Sequence, residues 1–195
     1  DAYLYFFKSI KETHTITHTT GLTDIILDLM SCELEEGLNK EQTAKRAAEL
    51  YFFYQTLVGQ VDIKDSTDEL TNAYFYVATE KALGKNDRIS IMYHLFLLRY
   101  DTLHIHSQEE IYAIASKFHT FLADSQTILS NPYDDKLTKF AQKQTAPFRI
   151  LYAVLDQHKG QEEALLVSPD ALHKAVQDMC SDKYAQTRTR LRNAA

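Results

Sequence analysis

The chain has 195 residues, 45% hydrophobic and 25% charged, a size and balance that fit one globular domain able to bury its own core. Its formal net charge of −6 repels phosphate backbones and anionic lipid surfaces, which disfavours nucleic acid and membranes as main partners. Five glycines and three prolines are too few for the many turns of an all-β protein, so few and long elements are expected.

Taken in order, apolar residues recur at three- and four-residue spacing and predict seven to eight helices. The first runs over about 2–18 on Tyr3, Phe7, Ile10 and His14. Its end is ambiguous, because residues 13–19 alternate Thr with His or Ile in the manner of a short strand. The second, about 22–36, carries Leu22, Ile25, Ile26, Leu29 and Met30. The third, about 39–59, has Asn39 as its cap and Gln42 at the capping-box position. The fourth, about 67–83, has Ser66 and Glu69 in the same relation. The fifth, about 87–101, is the most hydrophobic stretch and is expected to be the central helix of a compact all-α bundle. The sixth, about 108–128, begins with a Ser107–Glu110 capping box. The seventh, about 132–158, contains Pro147, which removes a donor and clashes with the preceding turn, so a kink or a break is expected. The last, about 169–192, opens with Ser168 as cap and Pro169 at the first helical position. The tail beyond Tyr184 is polar and basic and is expected to project or fray. No repeat or long linker divides the chain, which reads as one domain over 1–195.

Two cysteines, Cys32 and Cys180, are too few and too far apart for a disulfide scaffold. They read as reduced thiols in a cytoplasmic protein. No apolar run reaches the length that spans a bilayer. No signal peptide is legible, and an opening Asp1 in place of Met fits an excised domain.

Motifs that carry chemistry are sparse. No phosphate-cradling glycine loop, nucleophile elbow or Glu-x-x-His pair occurs. Residues 42–57 lack the glycine turn and polar recognition helix of a helix-turn-helix. Both cysteines sit among acidic residues, which raise a thiol pKa and do not activate it. The acidic pairs Glu35–Glu36, Glu109–Glu110, Asp134–Asp135 and Glu162–Glu163 read as solvated helix ends.

Two constellations remain. His14 and His18 stand one helical turn apart, and His104 and His106 form a His-x-His pair; together they are the candidate metal ligands, although the third ligand and oriented second shell are not legible. His94 lies inside the apolar helix, where a haem ligand or a base is weighed against a satisfied core residue. The aromatic content is the more unusual signal: twelve Tyr, ten Phe and no Trp. Tyr51–Phe52–Phe53–Tyr54 and Tyr74–Phe75–Tyr76 are dense clusters able to face each other. Tyr51, Tyr54, Tyr74, Tyr76, Tyr93 and His94 are the candidate lining of a pocket for a small apolar or aromatic ligand. The leading expectation is a non-enzymatic interaction or regulatory module that self-associates or binds a protein. The alternatives are a small-molecule sensor or carrier with an aromatic-lined pocket, and a histidine-dependent metal or haem protein. No cofactor is identified.

Overall fold

The computed structural model describes residues 2–13 and 21–194. Among them the secondary structure is helical with no strand: α1 Ala2–Thr13, α2 Leu22–Leu38, α3 Lys40–Leu57, α4 Asp68–Thr79, α5 Arg88–Tyr100, α6 Gln108–Leu129, α7 Asp134–Gln157, α8 Glu162–Val167 and α9 Pro169–Ala194. The all-α, multi-helix expectation is met. Single 3₁₀ turns follow α3 and α5, and α4 widens into a π-turn over Glu80–Gly84. No helix among the described residues is long and apolar enough to cross a membrane. The alternating Thr/His stretch, with His14 and His18, lies outside the described residues.

The residues group into two compact units, 1–139 and 140–195. In the first, α1 lies along α6, α6 also meets α4 and α5, α5 meets α2, and α3 meets α4. The interior follows from the apolar stripes. Phe6 and Ile10 of α1, Ile26 and Leu29 of α2, Ile91, Tyr93 and Phe96 of α5, and Phe118 and Phe121 of α6 are buried together. Their rings meet mostly edge to face: Phe6 and Phe118 at 5.2 Å and 83°, Phe96 and Phe121 at 5.4 Å and 83°. This arrangement suits the ring quadrupoles and adds to the area term. The hydrophobic helix α5 is half committed to this core. Ile91, Met92, Tyr93 and Phe96 are buried, while Leu98 on the opposite side is exposed.

The helix ends show where local chemistry decides. The Ser107 box forms as expected: Glu110 N–H donates to Ser107 Oγ at 3.3 Å, and Ser107 N–H donates to Glu110 Oε2 at 2.7 Å. Two other expected boxes do not form. Asn39 makes no side-chain cap, and its amide donates back to the Glu35 carbonyl at 3.2 Å, because the chain runs from α2 into α3 through this one residue. The α4 cap is Thr67 in place of Ser66, with Leu70 N–H donating to Thr67 Oγ1 at 3.3 Å. Removing the Ser107 hydroxyl (Ser107→Ala) is expected to cost about 1 kcal/mol, read as a lower urea midpoint. Ser66→Ala, one residue away from the α4 cap, should change stability by less than about 0.5 kcal/mol.

In the second unit, Pro147 stands inside α7 without ending it, so neither two helices nor a break at that point is found. Ser168 caps α9 as expected, accepting from Ala171 N–H at 3.4 Å, with Pro169 at the first helical position. The short α8 has no counterpart in the apolar periodicity, since six residues are under two turns. It is marked by Glu162 and Glu163 in its first turn, where the helix dipole favours negative charge, and by the buried Leu165. The basic tail continues as helix to Ala194, and residues 181–190 are exposed throughout.

Candidate functional site

Three helices of the first unit turn a second, mixed face away from the Phe-rich core, and helical spacing sets each one. On α3, Thr43, Ala47, Leu50 and Tyr54 succeed one another at three- and four-residue steps. On α4 and its π-turn, Ala73, Tyr76 and Glu80 do the same, as do Ser90, His94 and Leu98 on α5. With Cys32, Glu35 and Glu36 from α2, these faces enclose an open cleft of about 1040 Å³. Tyr54 stacks on Phe75 at 5.9 Å and meets Tyr76 edge-on at 6.1 Å. The two aromatic clusters therefore face each other across α3 and α4.

The floor of the cleft is charged. His94 is held between two carboxylates, its Nδ1 at 3.0 Å from Glu80 Oε1 and its Nε2 at 2.7 Å from Glu36 Oε1. Glu80 is 1% exposed. The Asn86 amide donates to its other oxygen, and the Tyr76 hydroxyl donates to it as well. Burial alone pushes the Glu80 carboxyl up, but the bonds from His94, Tyr76 and Asn86 outweigh it and hold the group below the ordinary carboxylate value. For His94, burial works against the charged ring. The Glu36 and Glu80 carboxylates override it and push the imidazole up to about 9. The ring is an imidazolium at neutral pH with both N–H groups donating. Both ring nitrogens are thus taken up by the two carboxylates. Tyr76 is pushed up, first by burial and then by Glu80, so it remains a phenol that donates.

The turn that delivers Glu80 is pinned from outside. Arg46 Nη2 donates to the Gly84 carbonyl at 2.9 Å and to Asn86 Oδ1 at 3.2 Å. Lys85 takes the left-handed conformation, φ 55°, and Asp87 restarts the chain as the α5 cap, accepting from Ser90 N–H at 2.8 Å. A π-turn inserts one residue into the helical repeat and so re-aims the side chains beyond it; such turns concentrate at functional sites. Cys32 lines the cleft with its thiol pushed up, first by burial and then by the acidic groups around it. It is a protonated thiol at neutral pH, as the acidic surroundings in sequence suggest.

Of the aromatic candidates, Tyr51, Tyr54, Tyr76 and His94 line the cleft. Tyr74 and Tyr93 are buried and do not line it. Of the candidate metal ligands, His104 and His106 are placed apart from this cleft: His104 Nδ1 pairs with Glu33 Oε1 at 2.7 Å, and His106 Nε2 lies 2.5 Å from the Tyr100 carbonyl. Glu33 also accepts from the Tyr3 hydroxyl, so that cluster ties α1 and α2 to the 3₁₀ turn Leu103–Ile105. Among the described residues no group of three or more His, Cys, Asp or Glu could hold a metal ion. The acidic pairs opening α6, α7 and α8 do sit in first turns. Glu36 of the fourth pair is no solvated end, because it faces His94.

Sequence reasoning flagged His94 and missed Glu36, Glu80, Arg46 and Asn86. The signal available for Glu80 was its place on one stripe with Ala73 and Tyr76. No protein-family model matches this chain, and no curated protein or solved structure is significantly similar to it.

Proposed function

We propose that this chain is a helical ligand-binding domain, a sensor or carrier that takes a small molecule with a flat or apolar body into the cleft between α2, α3, α4 and α5. The observation that supports this reading is the Glu36–His94–Glu80 cluster on the cleft floor, in which both imidazole nitrogens meet carboxylates. Burying such charges costs more than packing the same volume with apolar side chains. A cluster of this kind is therefore a poor way to build a core and a good way to fix polar groups in one geometry at a binding site. The volume of about 1040 Å³ suits a ligand of drug-like size or slightly larger. Tyr51, Tyr54 and Tyr76 offer ring faces and hydroxyls to it. With both nitrogens of His94 committed and Cys32 protonated, the cleft floor supplies binding groups and no free base or thiolate.

Native mass spectrometry of the chain purified from its natural host tests the reading. A retained small-molecule adduct is expected, and it should diminish in Tyr54→Ala. Absence of an adduct, together with no cleft resonance moved by an aromatic fragment library in ¹H–¹⁵N spectra, would sink it.

A second reading, self-association, has one observation in its favour. Leu27, Leu34 and Leu38 stand exposed on α2 at the 7- and 4-residue spacing of a coiled-coil seam, with exposures of 53%, 66% and 84%. The face is aliphatic. Sedimentation velocity decides it: a dimer that Leu34→Lys converts to monomer is expected under this reading, and a monomer at all concentrations ends it.

A further inference from the structure

We infer that the cleft selects an organic cation, an ammonium or methylated ammonium group carried on an apolar or aromatic body. The inference deepens the ligand-binding reading above and rests on it. The charges lining the cleft are four carboxylates, Glu35, Glu36, Glu80 and Asp101, against two cations, Arg46 and His94. Those two cations are already engaged. His94 lies between Glu36 and Glu80, and Arg46 is turned onto the Gly84 carbonyl and the Asn86 amide. The carboxylates are not all engaged. Glu36 gives one oxygen to His94 at 2.7 Å and keeps the other, and its side chain is 29% exposed. The Glu35 side chain is exposed on the same wall. The field in the cleft is therefore negative, which concentrates cations there and repels carboxylates and phosphates.

The aromatic lining points the same way. Tyr51, Tyr54 and Tyr76 bring electron-rich ring faces within one cleft. A cation over such a ring gains most when it is partly desolvated, as between carboxylates and Tyr walls. Leu50, Leu95 and Leu98 supply apolar surface for the remainder of the ligand. A free carboxylate, three tyrosine rings and an apolar wall together recognise an ammonium head on a hydrophobic body. Neither a sugar nor an anion has that chemistry.

The test uses three benzyl probes of different charge on the whole chain, followed by ¹H–¹⁵N spectra in low salt: benzyltrimethylammonium, its uncharged isostere neopentylbenzene, and the anion phenylacetate. The cation is expected to move amide signals of α3, α4 and α5 residues that face the cleft, and to bind on the order of ten-fold more tightly than either other probe. Added salt should weaken it. Glu35→Gln should cut its affinity about three-fold while leaving the melting temperature unchanged, since Glu35 is exposed. Tyr54→Leu should cut it further at similar apolar volume. Equal or tighter binding of phenylacetate or neopentylbenzene in the cleft overturns cation selection and leaves the ligand-binding reading standing. If no probe moves a cleft resonance, cation selection falls as well, and the ligand-binding reading falls with it when the chain also retains no adduct and the fragment library is silent.

Discussion

Glu80→Ala is expected to destabilise the first unit by about 3–5 kcal/mol, lowering its melting temperature by on the order of 10 °C. The carboxylate is 1% exposed and accepts from His94, Asn86 and Tyr76. Truncation takes the acceptor from three half-buried donors and leaves an imidazolium with only the partly exposed Glu36 to balance it. A buried group left unpaired costs its full desolvation, while the pair it belonged to contributes far less. Glu80→Gln keeps the shape and loses the charge. Its amide oxygen can satisfy one donor while its NH₂ confronts another, so a smaller loss, about half, is expected. Urea unfolding followed by circular dichroism measures both, with Glu35→Gln as the control expected within about 0.5 kcal/mol of the parent. A loss below about 1 kcal/mol for Glu80→Ala would remove the case that this cluster is buried at a cost. The same physics gives a contrasting result. The triple change Glu36→Leu, Glu80→Met, His94→Leu replaces the whole ionic cluster by apolar side chains of similar volume. It is expected to fold with near-parental stability and to lose cleft binding.

The helices were legible because their information is local. Leu22, Ile26 and Leu29 fall on one stripe and are buried, and Ser107 with Glu110, or Ser168 with Pro169, carry their cap chemistry within four residues. Asn39 and Ser66 show the limit: a capping residue type next to a turn does not say which neighbour takes the cap. The cleft was legible in part. Tyr54 and Tyr76 stood out as aromatics, and His94 stood out as a titratable group in an apolar run. Its partners did not, because Glu36 is 58 residues away and Glu80 is 14 away on another element. Pairing across such distances is a property of how α2 and α5 pack, and no spacing rule encodes it. Glu80 was further hidden by its place near the helix end. A carboxylate near the end of a predicted α-helix looks solvated, although Glu80 stays on the regular stripe of Ala73 and Tyr76 and the π-turn only begins with it. The Phe6–Phe96–Phe118–Phe121 core was hidden for the opposite reason: its four rings are spread over three helices with no two adjacent in sequence, while the eye goes to the runs at 51–54 and 74–76.

Stability should fall as pH rises from about 6.5 to about 9, and affinity for a quaternary ammonium should rise as pH passes through about 9. His94 titrates near 6.5 in an unfolded chain and at about 9 in the folded one. A folded-state pKa above the unfolded value means that the native chain holds the proton more tightly. The contribution is therefore complete below about 6.5 and is lost as pH climbs through about 9, to a total of about 3 kcal/mol. Glu80 runs the other way: its carboxyl is held below the ordinary value, so its contribution is present above the ordinary carboxylate range and fades as pH drops through it. Urea midpoints across the alkaline window should show the decline in the parent chain and a flatter profile in His94→Gln, and the imidazole resonances of His94 should titrate near pH 9. A His94 midpoint near 6.5 would mean that the two carboxylates do not clamp the ring. The rise in affinity comes from the same proton. When His94 loses it, the four carboxylates of the cleft face Arg46 alone, the local field becomes more negative, and a cation gains. Benzyltrimethylammonium carries a charge that does not titrate, so any pH dependence of its binding belongs to the protein. Opposite slopes for stability and affinity, both abolished in His94→Gln, are the signature of one proton shared between fold and site. Parallel slopes would place the titrating group elsewhere.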